Sequence, residues 1–215
     1  MSPKQTRENK KGFTLIELII TISILAILIA IVVVALNPAE QAARARDSKR
    51  VADLDAVKTA IILYMAQATG TVNLSGDTTV NDRCFAGGGT DSFFTNTLGT
   101  TTAPGGFTWV TSTGQSIATA TPVSAAVVWM PALLGATPGG APLSNLPLDP
   151  TNRTGSDTTL YYAYACDFND KTFELTARLE STYYKTDLDL DGTDGGNSSS
   201  TYEVGTKLSV LPNGF

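Results

Sequence analysis

The sequence predicts an α+β protein in which a long N-terminal α-helix packs on a small antiparallel β-sheet. Three observations support this prediction. An almost uncharged apolar run occupies residues 13–36, an amphipathic helical pattern follows over 39–68, and two short strand patterns lie at 160–166 and 172–179. The helical period of about 3.6 residues thus gives way to the strand period of two residues along the chain.

The composition of the chain excludes many enzyme classes. Its 215 residues include no histidine, which excludes a Ser-His-Asp or Cys-His nucleophile system, a His-ligated metal and a histidine proton shuttle. An exported hydrolase that uses acids such as Asp149 or Asp167 is the weakest alternative, because the sequence shows no paired geometry for two carboxyl groups. We therefore expect a protein without enzymatic activity.

The N-terminal third has the organisation of a membrane-inserted segment. A short basic stretch, residues 1–12, precedes the run 13–36, in which Glu17 is the one charge. A helix of that length extends roughly 36 Å, enough to cross a bilayer core of about 30 Å. A secretory signal peptide is the alternative, but its apolar region is shorter and is followed by a small-residue cleavage site, which the sequence at 36–38 is not. The basic flank predicts a cytoplasmic N-terminus and an exported remainder.

The charge of the exported part argues against nucleic-acid binding. Beyond residue 36 the chain has 11 basic and 18 acidic residues, a net charge of −7. A surface that binds phosphates needs the opposite sign, so we expect no direct nucleic-acid partner.

Glu17 is the residue of the membrane run that needs an explanation. A carboxylate inside a membrane helix costs about 2.5 to 3.5 kcal/mol on insertion scales and often marks a functional contact. The alternative is that Glu17, five residues into the run, reaches back to the cytoplasmic interface. The string KKGFTLIE at residues 10–17 resembles the processing site of type IV prepilins and of the related pseudopilins of type II secretion.

This resemblance covers the first third of the chain and implies a processed subunit. It implies cleavage between Gly12 and Phe13 by a prepilin peptidase and N-methylation of the new Phe13 amine. It assigns Glu17 as the partner of that amine in a neighbouring subunit. It also implies a homo-oligomeric helical filament, built by an assembly platform with a cytoplasmic ATPase. The protein would cross the inner membrane once before assembly and be extracellular afterwards.

The resemblance also divides the chain into parts with a type IV pilin-like fold. Residues 1–12 would be the leader peptide, 13–36 the transmembrane and filament-core helix, 37–70 an amphipathic helix on the head, and 71–215 a globular head with an acidic C-terminal loop.

The segment after the membrane run is predicted to be a second helical stretch. Pro38 is expected to kink or interrupt the helix, and Gly70 to end it. The cluster from Arg44 to Arg50 is expected to be a solvated collar or a subunit contact, with binding of anionic lipid as the alternative. Apolar residues at spacings of three and four predict one stripe that packs on the head, formed by Val51, Leu54, Val57, Ile61, Tyr64 and Ala68.

The head is predicted in less detail. Residues 71–140 are rich in Thr, Gly, Ser and Ala, and we expect a hairpin of 107–111 with 116–120 and a core segment at 123–134. Trp109 and Trp129 are expected to pack in the head or at a subunit contact. The sequences LPLDPTN, LYYAYACD and FELTARLES, a connector and two strands, resemble the heads of pseudopilins and many bacterial pilins.

Cys84 and Cys166 are the two cysteines of the chain. In an oxidising exported compartment they are expected to form a disulfide, which would close a long loop and contribute about 4 kcal/mol in the chain-entropy model. Two free buried thiols are the alternative.

An acidic stretch supplies the candidate ligand site. Asp187, Asp189, Asp191 and Asp194 lie around a glycine in a D-x-D-x-D-G pattern, and calcium binds six to eight oxygens without needing histidine. Counted as an EF-hand loop, the twelfth position is Ser198 instead of glutamate, so a complete EF-hand is disfavoured. A calcium site formed by these four aspartates and a solvated acidic loop are the two interpretations that stay open.

The function expected from these features is that of a structural subunit of a type IV pilus-like extracellular filament. A pseudopilin of a type II secretion system, which uses the same polymer as a short piston, is the nearest alternative. A non-polymerising, membrane-tethered, calcium-dependent binding module is an alternative of another class. Such a module would tolerate loss of processing at Gly12, whereas a filament subunit would not.

Overall fold

The computed structural model describes residues 12–68, 71–75, 84, 92–95, 108–111, 129–130, 132, 134–151 and 160–211, with only the backbone given at 92–95, 108–111 and 136. The chain divides into two compact units, Met1–Gln41 and Ala42–Phe215. Most of the predicted leader, the second strand of the predicted hairpin at 116–120 and residues 123–128 lie outside the described residues.

The first helix, α1, spans Leu15–Leu36. Thr14 caps its N-terminus, since the Thr14 hydroxyl accepts a hydrogen bond from the Glu17 backbone N–H at 3.3 Å. The helix ends at Asn37, whose φ of 41° is left-handed, a conformation that asparagine tolerates better than most residues. An 18-residue window with a mean hydropathy of 3.3 is wholly exposed, and by length and composition this stretch of helix can cross a membrane.

The second helix, α2, spans Pro38–Gln67. Pro38 occupies its first position, where the missing backbone N–H is harmless, and the Asn37 side chain accepts from the Glu40 N–H at 3.4 Å. The predicted interruption of the helix at Pro38 is therefore confirmed, with Asn37 as the residue that makes it. The predicted apolar stripe is also confirmed: Leu54, Val57, Ile61 and Tyr64 are buried, and Val51 and Ala68 pack against the same core.

The strands of the sheet are β1 Ser92–Thr95, β2 Thr108–Thr111, β3 Tyr162–Asp167, β4 Thr172–Ala177 and β5 Tyr202–Gly205. Their order in the sheet is β2-β1-β3-β4-β5. Its best-described part is the antiparallel trio β3, β4 and β5, and the predicted strands at 160–166 and 172–179 correspond to β3 and β4. β2 overlaps the first strand of the predicted hairpin but pairs in parallel with β1, while β1 is antiparallel to β3.

One hydrophobic core joins α2 to one face of the sheet, here called the inner face. Because side chains alternate along a strand, the residues paired across β3 and β4 on this face are Tyr162 with Ala177, Tyr164 with Leu175 and Cys166 with Phe173. All six are buried in the same cluster as the stripe of α2. The Tyr162 hydroxyl donates to the Asp53 carboxylate on α2 at 2.8 Å, which fixes the helix on the sheet.

The loops complete this core. Trp129 is fully buried beside Tyr162, and its indole N–H donates to the Pro147 carbonyl at 2.9 Å. Packing of Trp129 in the head is thus confirmed, whereas the side chain of Trp109 lies outside the described residues. After β4, the chain forms a π-helical turn at Tyr183–Asp187 and a short helix α3 at Leu190–Thr193 before β5.

Candidate functional site

The predicted processing site lies in accessible, non-helical backbone. Gly12, Phe13 and Thr14 precede the first helical residue, and Phe13 is 73% exposed. A Cβ added at Gly12 would meet no atom of the described residues within 4 Å. Cleavage between Gly12 and Phe13 would leave the cap intact, because Thr14 stays with the helix.

Within α1, which is described throughout, Glu17 differs from the other polar residues. Thr21 and Ser23 donate their hydroxyl groups to carbonyls of the preceding turn, at 2.8 and 2.7 Å. The Glu17 carboxylate has no such partner in the described part of the chain, and the side chain is exposed. In the first turn it gains only the favourable N-terminal end of the helix dipole. Glu17 therefore leaves one negative charge unpaired on a helix whose other exposed side chains are mostly apolar.

In α2, in contrast, two residues of the cluster predicted to be solvated or to contact another subunit are buried inside the head, while Lys49 is exposed. Arg50 and Asp47 are fully buried. Arg50 Nε and Asp149 Oδ2 are 2.6 Å apart, and Arg50 Nη1 lies 2.6 Å from carboxylate oxygens of both Asp47 and Glu180. Arg50 Nη2 donates to Asp149 and to the Thr151 hydroxyl at 3.1 and 2.9 Å. We call this group, Asp47, Arg50, Asp149, Thr151 and Glu180, the Arg50 clasp.

The clasp ties three segments of the head together. Asp47 accepts hydrogen bonds from the backbone N–H groups of Glu180 and Ser181, which follow β4. Asp149 belongs to the turn-rich connector and accepts from the Thr151 N–H at 2.8 Å. The first half of α2, the connector and the segment after β4 are therefore joined by the one guanidinium group.

The electrostatics of the clasp follow from its burial and its pairing. Burial alone would lower the pKa of Arg50, but hydrogen bonds to Asp149, Glu180 and Asp47 raise it above its ordinary value. Burial acts to raise the pKa of Glu180, but the hydrogen bonds from Arg46 and Arg50 lower it overall. Arg50 and Glu180 are therefore held in their charged forms at neutral pH, and the cluster is structural instead of poised for proton transfer.

The sequence contains a signal for the clasp that the spacing of apolar residues alone does not reveal. The buried face of α2 continues toward its N-terminus through Asp47 and Arg50, which are spaced from Leu54 as stripe residues are. Charged residues on an otherwise buried stripe need a buried partner. The distant partners, Asp149 and Glu180, could not be found from sequence spacing.

The two cysteines form the predicted disulfide. Cys84 and Cys166 are both buried, so the free-thiol alternative is wrong. The bond closes a loop with a sequence separation of 82 and attaches Cys84 to the inner face of β3. It thereby tethers the segment between α2 and β1 to β3.

The four aspartates of the acidic loop have different surroundings. Asp187 and Asp189 are exposed, whereas Asp191 is buried on α3, and burial raises its pKa. Asp194 accepts from the backbone N–H groups of Gly196 and Glu203, at 2.8 and 2.6 Å. Among the described residues, no three His, Cys, Asp or Glu side chains form a group that could hold a metal ion. Calcium binding by this loop stays a prediction.

Comparison with known proteins gives one match. Residues 7–33 match the prokaryotic N-terminal methylation motif, which spans the predicted processing site and most of α1. No curated protein and no solved structure shows significant similarity to the chain. Proteins of the pilin family are generally structural and non-enzymatic. The chain therefore carries, over residues 7–33, the N-terminal methylation motif of type IV pilins and pseudopilins, and its fold is pilin-like.

Proposed function

We propose that the protein is a structural subunit of a type IV pilus-like extracellular filament. In this proposal a prepilin peptidase cleaves between Gly12 and Phe13 and methylates the Phe13 amine. The mature protein then assembles through α1 with the help of an assembly platform and a cytoplasmic ATPase. The observation that carries the proposal is the fully exposed apolar surface of α1 behind a matched methylation motif.

The exposure of α1 supports a role in a bilayer and then in a polymer. All 22 residues of the helix are exposed, although most are Ile, Leu, Val or Ala. Such a surface is unstable in water, because exposing apolar area costs roughly 25 cal/mol per Å². Lipid before assembly and copies of α1 afterwards would both cover it. The membrane alone would explain the apolar residues but would not explain Glu17.

The position of Glu17 supports contact between subunits. Processing at Gly12 would create a positive amine at Phe13, near the end of the helix that already favours a negative charge. A carboxylate and an amine from two chains would neutralise each other where both leave water. Adding a subunit would then depend on one ion pair, because removing either partner strands the other charge.

The processing step is tested by changing Gly12 in the cells that make the filament. We expect Gly12→Val to block cleavage, so that the unprocessed chain accumulates in the membrane and sheared surface filaments disappear. The open space around Gly12 means that valine should not disturb the described fold. Electron microscopy of the sheared fraction and mass spectrometry for an N-methylated Phe13 terminus are the measurements.

A matched control is Ser23→Ala, which changes an exposed polar residue of α1 and should leave processing and filament yield unchanged. Filaments built from uncleaved Gly12→Val protein would overturn the proposal. The Gly12→Val strain also distinguishes a pilus subunit from a pseudopilin of type II secretion. Blocking a pilus subunit should remove the long surface filaments, whereas blocking a pseudopilin should stop protein secretion and leave long surface filaments in place.

A further inference from the structure

The first turn of α1 is closed by a side chain that lies just after the predicted cleavage site. Thr14 has an extended backbone, with a φ of −84° and a ψ of 150°, and its hydroxyl accepts a hydrogen bond from the Glu17 N–H at 3.3 Å. This is the geometry of an N-cap. The spacing of Thr14 and Glu17 is that of a capping box, of which the structure forms the threonine half. Thr14 therefore determines where α1 begins.

The start of α1 at Leu15 leaves the peptide bond between Gly12 and Phe13 outside the helix. The first carbonyl that accepts a helical hydrogen bond is that of Thr14, which accepts from the Leu18 N–H at 3.2 Å. Among the described residues, the carbonyls of Gly12 and Phe13 accept no backbone hydrogen bond. Phe13 is 73% exposed, and no described atom would lie within 4 Å of a Cβ at Gly12. The carbonyl of the predicted scissile bond is therefore free and accessible in the described part of the chain.

A peptidase needs a free carbonyl at the bond that it cleaves. Hydrolysis adds water to the Gly12 carbonyl carbon and breaks the bond from this carbon to the Phe13 nitrogen, which leaves a carboxyl group on Gly12 and an amine on Phe13. The carbonyl oxygen gains negative charge during the addition and must face hydrogen-bond donors of the peptidase. A carbonyl that accepts a bond inside a helix points along the helix axis and is not available to such donors.

Without the cap, α1 would extend over the cleavage site. The Glu17 N–H would lose its acceptor, which is costly at the edge of an apolar membrane segment. Extending the helix to Gly12 would restore the acceptors, because each helical N–H bonds to the carbonyl four residues earlier. Glu17 would then donate to the Phe13 carbonyl. Ile16 would donate to the Gly12 carbonyl, which is the one that the peptidase attacks. Glycine is accepted at an N-cap about as well as threonine, so Gly12 could cap the extended helix.

We propose that Thr14 is a positioning residue for processing, because its hydroxyl ends α1 before Phe13 and keeps the Gly12 carbonyl available to the prepilin peptidase. This inference rests on the proposed function, since it requires cleavage between Gly12 and Phe13. Thr14 lies within the matched methylation motif. Its role is separate from that of the Glu17 carboxylate in assembly, because the cap uses only the Glu17 backbone N–H.

The role of Thr14 predicts a specific kinetic change. If the chain alternates between a short helix that can be cleaved and an extended helix that cannot, the peptidase binds only the fraction with the short helix. The apparent KM rises as that fraction falls, whereas kcat stays the same. Replacing a threonine cap with alanine shifts such an equilibrium by about fivefold. A side chain that contacts the peptidase only in the transition state would lower kcat instead.

The test measures cleavage of the full unprocessed chain in detergent micelles by solubilised membranes that contain the prepilin peptidase. We expect Thr14→Ala to raise KM by up to about fivefold at unchanged kcat, and Thr14→Ser, which keeps the hydroxyl, to have the wild-type KM. Thr21→Ala is the matched control, because the Thr21 hydroxyl is exposed on α1 and donates to the Leu18 carbonyl without capping the helix. The backbone carbon chemical shifts of Phe13 in the unprocessed chain should be those of extended backbone in the wild type and should move toward helical values in Thr14→Ala.

The possible outcomes separate this inference from the proposed function. Cleavage of the wild type and of Thr14→Ala with the same KM would overturn the role of Thr14 and leave the proposed processing in place. A lower kcat with wild-type chemical shifts at Phe13 would also overturn it, because Thr14 would then act through direct contact with the peptidase. If the wild type itself is not cleaved between Gly12 and Phe13, the proposed processing is wrong and the inference fails with it.

Discussion

Two charged residues on consecutive helices have opposite surroundings, and the contrast separates what the chain does alone from what it does with other copies. Glu17 on α1 is exposed among apolar side chains and has no partner in the described residues. Arg50 on α2 is buried and hydrogen-bonds to three carboxylates and one hydroxyl. A charge that is satisfied within the chain stabilises the fold, whereas a charge left unpaired on an apolar surface needs a partner from outside the chain.

The largest expected effect is on assembly, and Glu17→Ala tests it. Without the carboxylate, the Phe13 amine of a neighbouring subunit would lose its partner, at a cost of about 3 to 5 kcal/mol for a stranded buried charge. We expect processing to continue but sheared filament yield to fall by at least about tenfold. Thermal unfolding of the head should not change, because Glu17 belongs to the other compact unit, Met1–Gln41. Normal filament yield from Glu17→Ala would mean that Glu17 needs no partner from another subunit, and the contrast with Arg50 would not hold.

The next effect is on the fold, and Arg50→Met tests it. Methionine has a similar volume but leaves Asp47 and Asp149 as buried, unpaired carboxylates, and breaking such a pair destabilises a protein by about 3 to 5 kcal/mol. Denaturant unfolding measures the loss. The control is Arg46→Ala, because Arg46 is 34% exposed and, among the described residues, pairs with Glu180 alone, so its removal should destabilise the head far less. If Arg50→Met and Arg46→Ala lowered the free energy of unfolding equally, the burial of Arg50 would not make its ion pairs more important than that of Arg46.

The disulfide contributes through the unfolded chain. Replacing Cys84 and Cys166 with serine should lower the free energy of unfolding by about 2 to 4 kcal/mol, since the bond closes a long loop. Non-reducing mass spectrometry verifies the bond in the wild type, and denaturant unfolding measures the loss. If the double variant is as stable as the wild type, the segment around Cys84, between α2 and β1, is held in place by packing alone.

The comparison of Glu17 and Arg50 also shows which features sequence reasoning can reach. The membrane run, the processing site and the stripe of α2 are local patterns, so the sequence predicts them directly. The disulfide was predictable because two cysteines allow a single pairing. The Arg50 clasp was not, since Arg50 lies 99 residues from Asp149 and 130 from Glu180, and a local pattern of charges in a helix usually indicates a solvated face. Glu174 and Glu203, which are buried on the outer face of the sheet, opposite the inner face, were missed because acids on alternate strand positions usually face water.

The smallest expected effect is that of acid on the clasp, and it distinguishes Glu180 from Glu174. The pKa of Glu180 is lowered in the folded head by Arg46 and Arg50, so its ion pairs contribute stability above the ordinary value of 4.5 and lose it as the pH falls below. Because Glu180 is partly exposed and Arg46 more so, the loss should be about 1 kcal/mol or less. Burial and the neighbouring Glu203 raise the pKa of Glu174 from 4.5 to about 9, so the stability that its proton contributes is lost as the pH rises through this range. Glu180→Gln should flatten the acid limb of the stability profile below pH 4.5, whereas Glu174→Gln should flatten the limb between 4.5 and about 9. Measuring denaturant unfolding of both variants across pH assigns each limb to one glutamate, and a single variant that flattens both limbs would mean that the clasp and the outer face of the sheet open as one unit.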